Sequence, residues 1–244
     1  MSNSEAGAAL SPEQKKKSRD ARLELLVVIL LGVTALLTAY ASWIGSLHGG
    51  NQATNYTTSN NLASEGNSEY NAGVQSLMQD MMLYNEINAL MIDQALAEEN
   101  GDTAEYERVA WKIEELESKN MSAELSDALS WAIEQENATG EYVSPFDKEG
   151  FTDTYFEAAG DLLAQSEEAL EQGKKDNASG DAFGLVTVIY SVVLFLLGIA
   201  GTFNSEKNKI AVICISGLAF IIATIYMFTL PMPTGFSLGS FFGG

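Results

Sequence analysis

Three uninterrupted apolar runs, Leu25 to Ile44, Leu185 to Phe203 and Ile210 to Leu230, carry no charged residue and last 20, 19 and 21 residues. At about 1.5 Å of rise per helical residue, each matches a hydrocarbon core of about 30 Å. The pattern predicts three membrane-spanning helices. Between the first two runs the periodicity changes. From Ala53 to Ala95, Tyr56, Asn60, Asn67, Tyr70, Val74, Leu77, Met81, Tyr84, Asn88 and Met91 recur at spacings of three, four or seven, a heptad seam. Such a seam pairs helices within one chain or between chains, and the buried asparagines of a seam fix register at a cost in stability. An alternative for the first half, rich in Thr, Ser and Asn, is a weak helix held by tertiary contacts. From Val74 onward Met78, Met82, Ile87 and Ile92 widen the apolar face.

Asn100-Gly101-Asp102 ends this helix and starts another, with Gly as a C-terminal cap and Asp102 with Glu105 as an N-terminal one. Tyr106, Val109, Ala110, Ile113 and Leu116 share a face of the second helix, and a third is expected from about Ser122 to Glu136. Gly140 to Gly150, containing Pro145, reads as a loop. After it Thr152 can cap a helix with Phe156, Ala159, Leu163 and Leu170 on one stripe, heading into the second apolar run. The expected fold is an all-α membrane protein: three transmembrane helices, with a long antiparallel helical hairpin and two shorter tip helices outside the membrane.

Charge divides the chain sharply. Residues 45–183 hold 28 Asp or Glu against 6 Lys or Arg, net −22, and the remainder holds 5 against 7, net +2. Lys15, Lys16, Lys17, Arg19 and Arg22 precede the first run, and Lys207 and Lys209 lie between the last two. The positive-inside rule makes both segments cytoplasmic. The expected layout is a basic cytoplasmic tail over 1–24, spans over 25–44, 184–203 and 210–230, an acidic extracytoplasmic domain over 45–183, a cytoplasmic loop over 204–209 and an outer tail over 231–244. The location is a cell membrane, crossed several times. A competing reading takes Ala39-Tyr40-Ala41 as the cleavage site of a signal peptide, although the run continues through Trp43 and Ile44. The one cysteine, Cys214, falls inside the third run, so the outer domain has no disulfide framework. Four glycosylation sequons, at Asn55, Asn120, Asn137 and Asn177, all fall in that domain.

Tyr40-Ala41-Ser42-Trp43, followed by Gln52-Ala53 and Tyr56, then Ser144-Pro145-Phe146 and Val193-Leu194-Phe195-Leu196-Leu197-Gly198-Ile199, carry a likeness over about Thr34 to Leu230. In these motifs and their order the chain resembles a family of uncharacterised prokaryotic three-transmembrane proteins with a helical extracytoplasmic insert between the first two spans. It departs from them in its Asn-rich first helix and its two-lysine inner loop. The resemblance implies this topology and no particular activity.

Enzyme chemistry finds little to work with. The one histidine, His48, is followed by Gly49 and Gly50, so it cannot build a multi-histidine metal site, and a serine triad is not indicated. No phosphate-binding glycine loop, nucleophile elbow or His-Glu-x-x-His motif occurs. Asp176 to Asp181 lacks the spaced ligands and closing Glu of a calcium loop. The expectation is a non-enzyme with no catalytic residues, no cofactor and no metal ligands, whose acidity attracts divalent cations diffusely and disfavours nucleic acid.

The spans lack the intramembrane charge that proton or ion coupling needs, but they carry small and polar stripes. Thr34, Thr38 and Ser42 lie on the first span, and Thr187, Ser191, Gly198 and Thr202 on the second. These are candidates for close helix packing or for lining a pore. Two functions follow. The first is a homo-oligomeric envelope scaffold, interaction or sensing protein using its acidic helical domain. The alternative is a subunit of an oligomeric cation channel or transport component, with that domain as vestibule. The expected partners are the lipid bilayer and further copies of the chain; the residues name no other protein.

Overall fold

The structure, a computed structural model, describes residues 12–203 and 205–235. Residues 1–11 of the expected inner tail, Asn204 of the expected loop and residues 236–244 of the expected outer tail lie outside the described residues. Among the described residues the chain is all-helical, with α1 (Pro12–Glu99), α2 (Thr103–Asn120), α3 (Ala123–Thr139), α4 (Asp153–Ala200) and α5 (Glu206–Thr229), and a 3-10 turn at Pro145–Asp147. Three of these helices, α1, α4 and α5, are long and apolar enough to cross a membrane.

The 88 residues of α1 form one helix because nothing inside it forbids helical backbone. Proline occupies its first position, where the missing N–H costs nothing, and the next proline is Pro145. Gly49 and Gly50 are carried through as helix. Gly101, at φ +71°, adopts the left-handed conformation that ends α1, and Asp102 accepts from the Glu105 amide at 3.0 Å to open α2. Ser122 caps α3 in the same way at the Leu125 amide, and α3 runs three residues beyond its expected end, to the left-handed cap at Gly140. Pro231 and Pro233 stop α5, since the residue before a proline is driven toward extended backbone. Leu230 accordingly sits at φ −76°, ψ 145°.

The chain divides into two compact units, residues 1–56 with 170–244, and residues 57–169. In the first, Ala41, Ile44, Phe183, Val186, Tyr190, Ala223 and Met227 form one buried cluster and Val27, Val193, Leu197, Ala200 and Ile213 another. The outward faces of these same segments are apolar as well: Leu36, Phe195, Leu218 and Phe228 are more than 60% exposed. A bundle apolar inside and outside suits a hydrocarbon solvent, where the outer face loses nothing by contact with lipid. Arg19 pairs with Glu206, and Lys209 with Glu24 at 3.5 Å, so α1 and α5 begin at the same end.

In the second unit Leu83, Tyr84, Ile87, Val109, Ile113 and Leu125 build the core. A file of rings, Tyr84, Phe146, Phe151 and Tyr155, with centroids 5.1 to 5.6 Å apart, connects it to the start of α4. Glycine decides how α1 and α4 meet here. A Cβ at Gly66 would lie 3.0 Å from the Leu163 side chain, and one at Gly73 would lie 2.1 Å from the Tyr155 carbonyl oxygen. The buried line of α1 therefore runs through Ser59, Gly66, Gly73, Asp80 and Ile87, a seven-residue repeat of mostly small or polar residues.

Asp80, 4% exposed, shows how a carboxylate is tolerated on that line. Its Oδ2 accepts from Ser122 Oγ and from the Tyr155 hydroxyl, each at 2.5 Å. Burial, and then the bond to Asp80, push the Tyr155 phenol well above the usual tyrosine range, so it stays a donor at any physiological pH. Asp80→Ala is expected to cost about 2–3 kcal/mol, because two donors lose a charged acceptor, and Tyr155→Phe about 1–2 kcal/mol. Denaturant unfolding of the full chain in detergent, followed by circular dichroism, measures both.

Candidate functional site

In the unit formed by residues 1–56 and 170–244, the most constrained polar group is His48, the lone histidine, at 2% exposure. It occupies the buried stripe of α1 that carries Ala41 and Ile44, one turn beyond Ile44. Asp176 stands on the buried stripe of α4, seven residues before Phe183, and is as deeply covered. His48 Nδ1 and Asp176 Oδ1 are 3.0 Å apart, and His48 Nε2 lies 3.1 Å from the Pro231 carbonyl oxygen. The imidazole stacks on Phe183 with centroids 5.8 Å apart and planes 25° from parallel. The second carboxylate oxygen, Oδ2, accepts from Asn55 Nδ2 at 3.0 Å and from Gln172 Nε2 at 3.3 Å. Asn51 Nδ2 donates to the Thr234 carbonyl and hydroxyl, both at 3.1 Å.

The bonding geometry sets where the protons sit. A carbonyl oxygen only accepts, so Nε2 carries a proton and donates to Pro231. Nδ1 faces a carboxylate oxygen, and two lone pairs cannot face each other at this distance, so a second proton lies between His48 and Asp176. Oδ2 is held by two amide donors, and Nδ1 and Oδ1 share that proton in a buried hydrogen bond. Both ring nitrogens are thus committed, and the node ties α1, α4 and the segment after α5 together. A histidine aligned for general base catalysis would keep one nitrogen toward the reacting group.

The sequence foresaw neither partner. His48 and Asp176 are 128 residues apart, and Asp176 belongs to the acidic run weighed against a calcium loop. One signal was available: Asp176 lies seven residues before Phe183, in register with the three-and-four spacing through Val186 and Tyr190. Asp181, the other acid of that run, is exposed, and among the described residues no group of three or more His, Cys, Asp or Glu is placed to hold a metal ion. The Asn55 amide, the atom a sequon glycan would occupy, is engaged with Asp176.

The span residues separate into two kinds. Thr34 is fully buried, and Thr38 and Thr187 are partly buried; Ser42, Ser191, Gly198 and Thr202 face out of the bundle. The Thr38, Thr187 and Ser191 hydroxyls each donate to a carbonyl four residues earlier on their own helix, and that of Thr202, in the turn after α4, donates to Ile199, at 2.7 to 3.0 Å. The heptad residues likewise fall on different faces. Tyr84 is buried, Tyr56, Val74, Leu77 and Asn88 are half-buried, and Asn60, Asn67, Tyr70, Met81 and Met91 are exposed. Tyr70 stacks on Phe156 at 5.0 Å, Tyr84 bonds Tyr142 at 2.7 Å through the hydroxyls, and Met91 lines a cleft of about 430 Å³ with both tyrosines.

The acidic unit also leaves a face of α1 uncovered. Met78, Met82, Ile92 and Leu96 are 50–69% exposed, and at about 100° per residue they lie on one stripe opposite Leu83, Ile87 and Leu90. Comparison with family models, with curated proteins and with solved structures finds no match for this chain.

Proposed function

We propose that the chain is a non-enzymatic, multi-pass membrane protein that assembles as a homo-oligomer and presents its acidic helical domain as an interaction surface. Its N-terminus is cytoplasmic, and residues 45–183 stand outside as an antiparallel hairpin of the long helices with α2 and α3 at its tip. The observation that carries this reading is the uncovered apolar stripe on α1. A helix apolar on two opposite faces, within a segment of net charge −22, has a second contact to make in water. Association of copies is assigned to the spans, where Ser42 and Gly198 face outward as small residues of the kind through which membrane helices pack.

The spans' hydroxyls favour this over the channel reading, since Thr38 and Thr187 spend their donors on their own helices rather than on a lumen. The subunit count in mild detergent, by native mass spectrometry, is expected to exceed one and to fall for Ser42→Leu with Gly198→Leu. The wild-type oligomer is expected to be electrically silent in liposomes. A stable monomer removes the assembly, and a cation conductance altered by Thr38→Phe or Thr187→Phe replaces the reading with a channel.

A further inference from the structure

We infer that the exposed stripe of α1 is a docking site for a basic amphipathic helix of another protein. The inference rests on the interaction reading above and names the chemistry of the partner. The stripe runs from Met78 and Met82, past Asn85 and Ala89, to Ile92 and Leu96, about 27 Å at 1.5 Å per residue, so it matches a partner helix of about five turns. Its chemistry is unusual for a solvent-facing surface. Four of the chain's eight methionines, Met78, Met81, Met82 and Met91, fall within these few turns, and the first three lie on or beside the stripe. Methionine is unbranched and polarisable, and it adapts to the apolar face of a bound helix better than branched side chains do.

The charge around the stripe selects the partner. Glu86 and Asp93 lie along one edge, about 60–80° round the helix from Met78, and Glu99 lies near the far end. No lysine or arginine occurs between Arg22 and Arg108, so nothing on this helix after its first turns neutralises those acids. Beside the same edge an open recess of about 710 Å³ is bounded by Met82, Glu86 and Asn120. Met82 and Leu83 supply its apolar part and Gln79, Asn85, Asn120 and Glu86 its polar walls, so it accepts the methylene stem and charged head of a lysine or arginine. A second copy brings the opposite complement: the same acids and the same net −22 would meet their own kind across the contact.

The experiment uses the full-length protein in nanodiscs and a labelled 18-residue helical peptide of leucine and lysine, with leucines on one face, read by fluorescence anisotropy. A scrambled peptide of the same composition and a Lys→Glu version serve as comparisons. The amphipathic basic peptide is expected to bind at least tenfold more tightly than either, and to weaken as salt is raised. Met82→Ser with Ile92→Ser should weaken it tenfold or more, Glu86→Gln with Asp93→Asn should flatten the salt dependence, and Ile133→Ser, on α3, should leave binding unchanged. Equal binding of the scrambled peptide overturns the inference, since charge alone would then suffice. A subunit count that drops in Met82→Ser with Ile92→Ser, without peptide binding, assigns the stripe to a second copy: the inference fails and the interaction reading stands. Neither peptide binding nor a change in subunit count removes both.

Discussion

His48→Ala should lower the stability of the folded chain by about 3–5 kcal/mol, the largest effect expected of any single side chain here. The side chains of both members of the His48–Asp176 pair are only 3% exposed. Removing the imidazole leaves the buried Asp176 carboxyl group with only the Asn55 and Gln172 amides as partners. The Pro231 carbonyl also loses its donor. Replacing both partners, His48→Leu with Asp176→Leu, should restore much of the loss, because apolar groups of similar size leave no buried polar group unpaired. The comparison separates a pair that stabilises from one that merely must not be broken. Denaturant unfolding in detergent gives the energies. Protease sensitivity around Met232 reports whether the segment after α5 has come free; unchanged stability and cleavage in His48→Ala would show that the node holds nothing.

The second large effect is steric. At Gly73 the added methyl of alanine would meet the Tyr155 carbonyl oxygen at 2.1 Å, a backbone atom that cannot turn aside. Helix propensity favours alanine over glycine by about 1 kcal/mol, so the two terms oppose each other. Overpacking against backbone costs about 1–3 kcal/mol when neighbours can shift, and more when they cannot. Gly73→Ala is therefore expected to destabilise by about 2 kcal/mol net and to loosen the Asp80–Tyr155 bond two turns away. Gly160→Ala is the control, because nothing lies within 4 Å of its Cβ position. It should stabilise by about 0.5–1 kcal/mol. The two substitutions are chemically identical, so opposite signs isolate close helix approach as the cause. The same sign at both positions would refute it.

These two sites also mark the boundary of what periodicity could reveal. Following apolar and aromatic residues from Tyr56 to Met91 traces a line that mixes buried and exposed positions, because the contact face is chosen by size instead. Ser59, Gly66 and Gly73 let α1 and α4 approach, and none of them registers on a hydrophobicity count. Tyr70 and Tyr84 do find partners, in Phe156 and Phe146, as aromatic neighbours flanking that line. The asparagines of the seam mostly face outward: Asn60 and Asn67 are exposed and Asn88 is half-buried.

Helix ends were legible where a residue type forces the backbone: Gly101 with positive φ, Asp102 as a cap, and the prolines after α5, while α3, expected to end at Glu136, runs on to the left-handed cap at Gly140. The three apolar helices were legible for a related reason. Transfer from water to hydrocarbon is summed residue by residue over about 20 positions, so the answer is contained in the local string. The pairing of His48 with Asp176, the choice of Gly73 as the closest approach and the stripe from Met78 to Leu96 left uncovered belong to the tertiary structure alone. Each depends on which atoms meet across 80 or more residues of chain, or on which meet nothing, and no sum along the sequence contains that distance.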